Sequence, residues 1–461
     1  MPLAAQAHRL RPANPWTYDR AMGNGNDQVT PVAITNWRDI RKKFGIKERN
    51  RRGHMYIVGK TGTGKSSLLG NMIISDLAQG NGLALIDPHG DLAESVLRFI
   101  PPRRAGDVVY LNPGDLEYPV PLNFLEQIEP AYRHRLVSGL ISVFKKIWHE
   151  FWGPRLEHLL RHALFTLLDY PGSTLLDVTR LFTDYSFRAK VLTYLTQEAV
   201  KAFWFAEFDK YSPWLRAEAT APILNKMGQF LTSLPLRNIV GQKENTFHLR
   251  QLMDEGKILI ANLSKGAIGD DNCALLGAML VTQIQLAALS RADTAESKRR
   301  PFYLYVDEIH TFLTQSFADI LSEARKYGLN LVLAHQYVAQ LKEELRDAIF
   351  GNVGTIISFR VGADDAKYLA REFAPVFDEM DFVNLPNYDI YLRLMIDGVT
   401  SRPFSATTLP IPERAISKRE EIVNESRRRY GKLRKEVEQS IISRFKTDSR
   451  TTRQKGLFGS L

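Results

Sequence analysis

At 461 residues, with a formal net charge of +10 and 44 % hydrophobic content, the chain is long for one domain and predicts a core carrying a second unit. Its one cysteine, Cys273, excludes an intrachain disulfide framework and a thiolate metal cluster, and reads as a small buried filler on an apolar helix. The polar start lacks the apolar core of a signal peptide, and no uncharged apolar run of membrane-spanning length is expected, so the compartment reads as the cytoplasm.

In chain order, residues 1–45 form a basic, mostly irregular arm, with a short helix or turn expected near "NWRDIRKKFG". Residues 46–124 alternate strand and helix. A buried strand at 54–58 leads through a glycine-rich loop into "KSSLLGNMIISDLAQG", a helix stopping at Gly80. The strand "LALID", the helix "DLAESVLRFI" and the strand "DVVYLN" follow, the spacing of a mostly parallel sheet. Residues 125–245 read as helices only, with Trp, Phe and Tyr expected to pack between them. Strand signals resume over 246–411 with "KILIANLS", "FYLYVDEIH", "LNLVLAH", "GTIISFRV" and a hairpin-like 388–409, around a long apolar helix at 272–290. Residues 412–461 read as a charged helix, too poor in apolar positions to stand without a partner or neighbouring subunit, then a disordered tail. The predicted fold class is α/β, one sheet domain interrupted by an all-helical insertion.

Gly59–Ser66, "GKTGTGKS", has the G-x-x-x-x-G-K-S spacing, between an apolar strand and a helix. Gly59, Gly62 and Gly64 let the backbone N–H groups of Lys60, Thr61 and Thr63 turn inward around phosphate oxygens, with Ser67 in the following turn. Lys65 supplies charge to the β- and γ-phosphates, and Ser66 an oxygen to Mg²⁺. ATP and Mg²⁺ are the expected cofactors. Asp307 and Glu308 end an apolar strand, suiting a metal-shell carboxylate beside a base that polarises water. The alternative is that the pair merely opens a helix. Asp87 and His89 lie at a strand end where α/β sheets put ligands, but no His/Cys/Asp cluster has zinc-ligand spacing. Gln336 ends another strand, where it could sense the γ-phosphate or the attacking water. Arg325 and Arg360 flank core strands and suit either a charge offered to a neighbouring subunit's site or a surface salt bridge.

Residues 1–53 hold eleven Lys/Arg against four Asp/Glu, and residues 412–461 fourteen against seven, so each end carries +7 and the body −4. Basic ends suit DNA held through its phosphates, or plain solubility.

"IVGKTGTGKS", "LIDPHGDL", "YVDEIHTF", "SEARKYGLNLVLAHQY" and "FGNVGTIISFRVGADDAKYLAREF", in that order, resemble the HerA–FtsK superfamily of P-loop motors. The chain is most similar to the cytosolic part of conjugative coupling proteins of type IV secretion (TraG/TraD-type ATPases). The resemblance implies a RecA-like motor domain with an all-helical insertion, assembled as a hexameric ring that hydrolyses ATP to drive DNA through its channel. It implies Lys65 and Ser66 as the Walker A pair, Asp307 and Glu308 as Walker B, Gln336 as sensor, and Arg325 or Arg360 as a finger acting in trans. Partners would be DNA, further copies of the chain, and a secretion-channel, relaxase or nuclease protein. Membrane-bound coupling proteins carry an N-terminal transmembrane hairpin that is not read here, which implies either a truncated or soluble relative recruited to a secretion channel at the inner face of the membrane, or a soluble HerA-like translocase working with a nuclease or defence partner. A secretion ATPase with protein cargo explains the P-loop but not the basic ends. An ATP-binding scaffold leaves Glu308 and Gln336 unused, and no N-K-x-D-like motif supports a signalling GTPase.

Overall fold

The computed structural model describes residues 28–456 except 37–39, 127–128 and 316. Most of the basic arm, and the last five residues, lie outside the described residues.

The chain opens with an antiparallel hairpin, β1 (Val29–Thr35) and β2 (Lys43–Lys47). β2 lies where a helix or turn was expected. Its "KFGIK" buries only Ile46 fully, too little apolar periodicity to announce a strand. Pairing of β1 with a strand near the other end of the sequence stabilises it instead. Next come β3 (Met55–Val58), β4 (Gly82–Asp87), β5 (Val108–Leu111), β6 (Ile258–Asn262), β7 (Phe302–Val306), β8 (Leu329–His335) and β9 (Thr355–Ser358). These seven run parallel in the order β9-β3-β8-β7-β4-β6-β5. β10 (Asp389–Arg393) adds antiparallel to β9, a small hairpin of β11 (Met395–Ile396) and β12 (Val399–Thr400) follows, and β13 (Phe404–Thr408) joins β10 to β1. The result is one eleven-stranded sheet, β2-β1-β13-β10 continuing into the parallel set.

Period-two alternation divides the core between the two faces. Met55, Ile57, Leu83, Leu85, Tyr303 and Tyr305 face the core that holds the helix Lys65–Gln79. Tyr56, Val58, Ala84, Ile86, Leu304 and Val306 face the other, which continues into the helices between β5 and β6. No strand occurs between those two among the described residues.

The helical stretch Asp270–Asp293 is long and apolar enough, by length and composition, to cross a membrane, contrary to expectation. Of its apolar window 72 % is buried inside the fold, as in a core helix, and Cys273 lies buried on it.

The C-terminal segment also departs from expectation. The helix Arg419–Tyr430 packs on the body through buried Ile422 and Val423, an Arg427–Asp115 ion pair at 2.6 Å, and the Ser426 hydroxyl, which accepts from Tyr110 N–H at 2.8 Å. A second helix, Arg434–Gly456, runs through residues expected to be disordered.

Candidate active site

The glycine-rich loop starts where β3 ends, between two parallel neighbours in register with it at Val58. Gly59 N–H donates to the His335 carbonyl at 3.1 Å and Lys60 N–H to the Arg360 carbonyl at 2.9 Å, so β8 and β9 pin the loop from both sides. Gly64 has φ +119°, and a Cβ there would lie 2.9 Å from the Tyr388 ring and 3.1 Å from Phe359. Only glycine fits. Thr63 is buried, its hydroxyl donating to the Lys60 carbonyl at 2.7 Å, whereas Thr61 and Gly62 form the exposed tip. Ser66 is exposed and Ser67 half-buried in the first turn of Lys65–Gln79, a helix whose N-terminus has no side-chain cap. Its N–H groups and dipole suit an anion. Lys65 is buried and bends back to donate to the carbonyls of Gly59 (2.6 Å) and Lys60 (3.2 Å). Burial lowers its ammonium pKa, against the pull of Glu308 and Asp307.

On the β8 side stand the acids. Asp307 N–H donates to the Ile86 carbonyl at 3.1 Å, extending β7 by one rung. Burial, with Glu308 and Asp87 close by, pushes the Asp307 carboxyl up to about 6. A divalent cation would reverse that cost. Glu308 follows with φ +46°, a left-handed conformation rare for a non-glycine residue. Its Oε1 accepts from Gln336 Nε2 at 2.6 Å. Its Oε2 has no hydrogen-bond partner among the described residues, the His310 ring nitrogen standing 3.5 Å away. Burial pushes His310 down to about 4 and His335, packed beside it, to about 3, so both imidazoles are neutral at pH 7. Glu308 thus keeps one oxygen fixed by Gln336 and one without a hydrogen bond among the described residues, the arrangement a general base needs to take a proton from water.

Asp87 is buried at the end of β4, and each of its oxygens takes one hydrogen bond. They accept from His89 N–H and Ala93 N–H, each at 2.9 Å, fastening the loop into the next helix. His89 is exposed.

The two arginines part company. Arg360 stands beside its own loop, its carbonyl on Lys60 and its guanidinium donating to Asn387 at 2.8 Å. Arg325 is exposed in the turn that enters β8, while Gln336 follows that strand's other end. Seven residues of strand put about 20 Å between them. Arg325 is remote from the loop of its own chain.

Sequence reasoning missed three contributors. Tyr388 N–H donates to the Thr63 carbonyl at 2.8 Å, its ring lies against Gly64, and its φ is +67°. His310 lines Glu308, and Lys146, from the helical segment, reaches the turn after it. Only His310 had a local signal, its place in "VDEIH".

A family model described as the type IV secretion-system coupling protein DNA-binding domain matches residues 42–374. Among solved structures, the plasmid coupling protein TrwB in complex with a non-hydrolysable ATP analogue is similar at 16 % identity and TM-score 0.59, over 86 % of this chain and 92 % of that one. TrwB with ADP and Mg²⁺ is similar at 16 % identity and TM-score 0.58, over 87 % and 98 %. VirB4 of Thermoanaerobacter pseudethanolicus is similar at 15 % identity and TM-score 0.52, over 85 % and 98 %. At these identities the solved structures establish a common fold. A search of curated proteins finds no match. With most of its length matched by the family model, the chain belongs to the type IV secretion-system coupling-protein DNA-binding-domain family.

Proposed function

We propose that this protein is an ATP-hydrolysing motor of conjugative DNA transfer, working as a ring of identical subunits. The observation that carries the hydrolytic reading is Glu308, held by Gln336 through one oxygen and, among the described residues, without a hydrogen bond at the other, with the P-loop Lys65 near enough to feel its charge. Lys65 and the N–H groups of residues 59–67 bind the triphosphate. Ser66 and Asp307 would hold Mg²⁺, which would supply positive charge to offset that of the phosphates. Glu308 takes the proton of the attacking water, and Gln336 keeps its carboxylate aimed. TrwB has been captured with ATP and GTP analogues and with ADP and Mg²⁺, in keeping with such a site.

Residues 46–124 and 246–411 make the motor, 125–245 the inserted helical domain, and the two ends DNA-contacting arms in a cytoplasmic protein recruited to the inner face of the membrane. Six copies form the ring, with a secretion-channel, relaxase or nuclease protein as partner. Arg325 is the better finger, because its distance from its own loop suits a neighbour's site, while Arg360 contacts its own. Mixing inactive Arg325→Ala with inactive Lys65→Ala subunits should restore partial turnover; the same mixture made with Arg360→Ala should not.

The deciding experiment measures ATP turnover with and without duplex and single-stranded DNA at about 50 and 200 mM salt. Turnover should rise with DNA, and DNA affinity should fall tenfold or more between the two salts if several phosphates are contacted. Turnover indifferent to both nucleic acids, with no binding at low salt, would replace DNA with a protein cargo.

A further inference from the structure

The helix Pro130–Ile147 lies between β5 and β6 in the chain, yet its last turn reaches the hydrolytic side of the sheet. Lys146 Nζ donates to the His310 carbonyl at 2.9 Å and to the Thr311 carbonyl at 2.6 Å. These carbonyls belong to the 3₁₀ turn Ile309–Thr311, which begins directly after Glu308. No step assigned above uses them.

Lys146 is half-buried and makes no ion pair among the described residues. The charged groups that face it, Lys342 and Lys265, are themselves cations. The two carbonyls are therefore what holds it.

A second contact grips the same turn. Phe312, buried, packs so closely on Gly277 that a Cβ there would lie 2.2 Å from its ring. Gly277 lies on the helix Asp270–Leu289, which approaches Pro130–Ile147 at Gly139, where a Cβ would meet Thr282 at 2.5 Å. Close-packed contacts of this kind transmit displacement rather than absorb it. The segment 309–312 is thus held from the helical block directly and through an intervening helix.

We infer that Lys146 is a positioning residue through which the inserted helical block sets the aim of Glu308. The inference rests on the hydrolytic reading of Glu308. A load on the block shifts the last turn of Pro130–Ile147, Lys146 carries the shift to the 309–311 turn, and the strained backbone at Glu308 settles into or out of its water-activating geometry. Coupling of this kind needs a physical element that both sites bias, and the Lys146-held turn is that element.

The test compares Lys146→Met and Lys146→Arg with the wild-type protein, in ATP turnover at saturating nucleotide, equilibrium binding of a fluorescent ATP analogue, and stimulation by duplex DNA. Lys146→Met should lower kcat about tenfold or more, leave nucleotide Kd within about twofold, and lose stimulation by DNA. Lys146→Arg, whose fork can reach both carbonyls, should recover most of both. Methionine-variant kcat and stimulation equal to wild type would overturn the inference, as would parallel loss of nucleotide binding and turnover, the mark of a merely structural role. Hydrogen exchange in the wild-type protein keeps the question open to test even if that variant does not fold. Amides of 309–313 should change protection when DNA is added, and unchanged protection would overturn the coupling. A wild-type protein without ATP turnover would instead overturn the hydrolytic reading.

Discussion

Asp76 and Glu308 are both buried carboxylates, 0 % and 4 % exposed, one near the far end of the helix that starts at the P-loop, the other two residues past β7. Asp76 accepts from both Arg51 amino groups, at 2.6 and 2.9 Å, from the Tyr305 hydroxyl at 2.5 Å and from Asn81 at 3.1 Å. Arg51 in turn reaches Thr30 and lies 3.7 Å over the Tyr303 ring. Glu308 has the Gln336 amide on one oxygen, no hydrogen bond on the other among the described residues, and neutral imidazoles alongside. Burial costs a carboxylate several kcal/mol unless partners return it. Where every lone pair is matched, as at Asp76, the group holds the fold. Where a carboxylate is buried and left open on a strained backbone, as at Glu308, it is reserved for chemistry.

The sharpest way to break that contrast is to remove one member of each site. Asp76→Ala leaves the Arg51 guanidinium buried without its counter-charge, and should lower unfolding stability by about 3–5 kcal/mol in denaturant titration. Replacing both, with Arg51→Met and Asp76→Leu, should recover much of the loss, because the penalty belongs to the stranded charge. A single variant as stable as wild type would mean that Asp76 is not the closed structural site its bonds suggest.

Glu308→Gln should do the opposite. Stability should hold or rise slightly, and nucleotide binding should persist. Turnover should fall at least a hundredfold, roughly 3 kcal/mol of barrier. Lys65→Ala separates from it by losing binding as well as turnover. Equilibrium binding and ATPase assays on the two variants check this, and near-normal hydrolysis by Glu308→Gln would remove it from the base role.

What was legible in the sequence follows from the same physics. β3, β4, β7 and β8 are short apolar runs, ending at the P-loop glycine, at an acid or, for β8, at His335, and a strand buried on both faces writes that pattern locally. The pairing of Gln336 with Glu308 was only half visible: each was placed at a strand end, but the hydrogen bond needs β7 and β8 to be neighbours. β2 and the packing of Arg419–Tyr430 were hidden, because they depend on β1, Asp115 and Tyr110, and the latter two lie over 300 residues from the helix residues they bind. Lys146 and Tyr388 were hidden for the same reason. A lysine near the end of an amphipathic helix reads as solvated until the turn it binds, over 160 residues later, is brought against it.

The smallest effect expected is also the most diagnostic of Lys146. Burial, with Lys342 and Lys265 nearby and His310 neutral, pushes its ammonium down to about 7, far below its ordinary value near 10.5. In the unfolded chain the group stays protonated until about 10.5, so between the two values the unfolded state binds more protons than the folded one. The contribution of Lys146 to stability therefore rises with pH across that window, and its full cost is present below about 7, where both states are charged. Methionine at 146 does not titrate. Denaturant titrations at about pH 6, 7.5 and 9 should thus show wild type gaining on Lys146→Met as pH rises. Lys342→Ala should weaken this trend by removing one of the two neighbouring cations. A stability difference independent of pH would mean that the fold stabilises the Lys146 ammonium as well as water does, and that burial does not depress it.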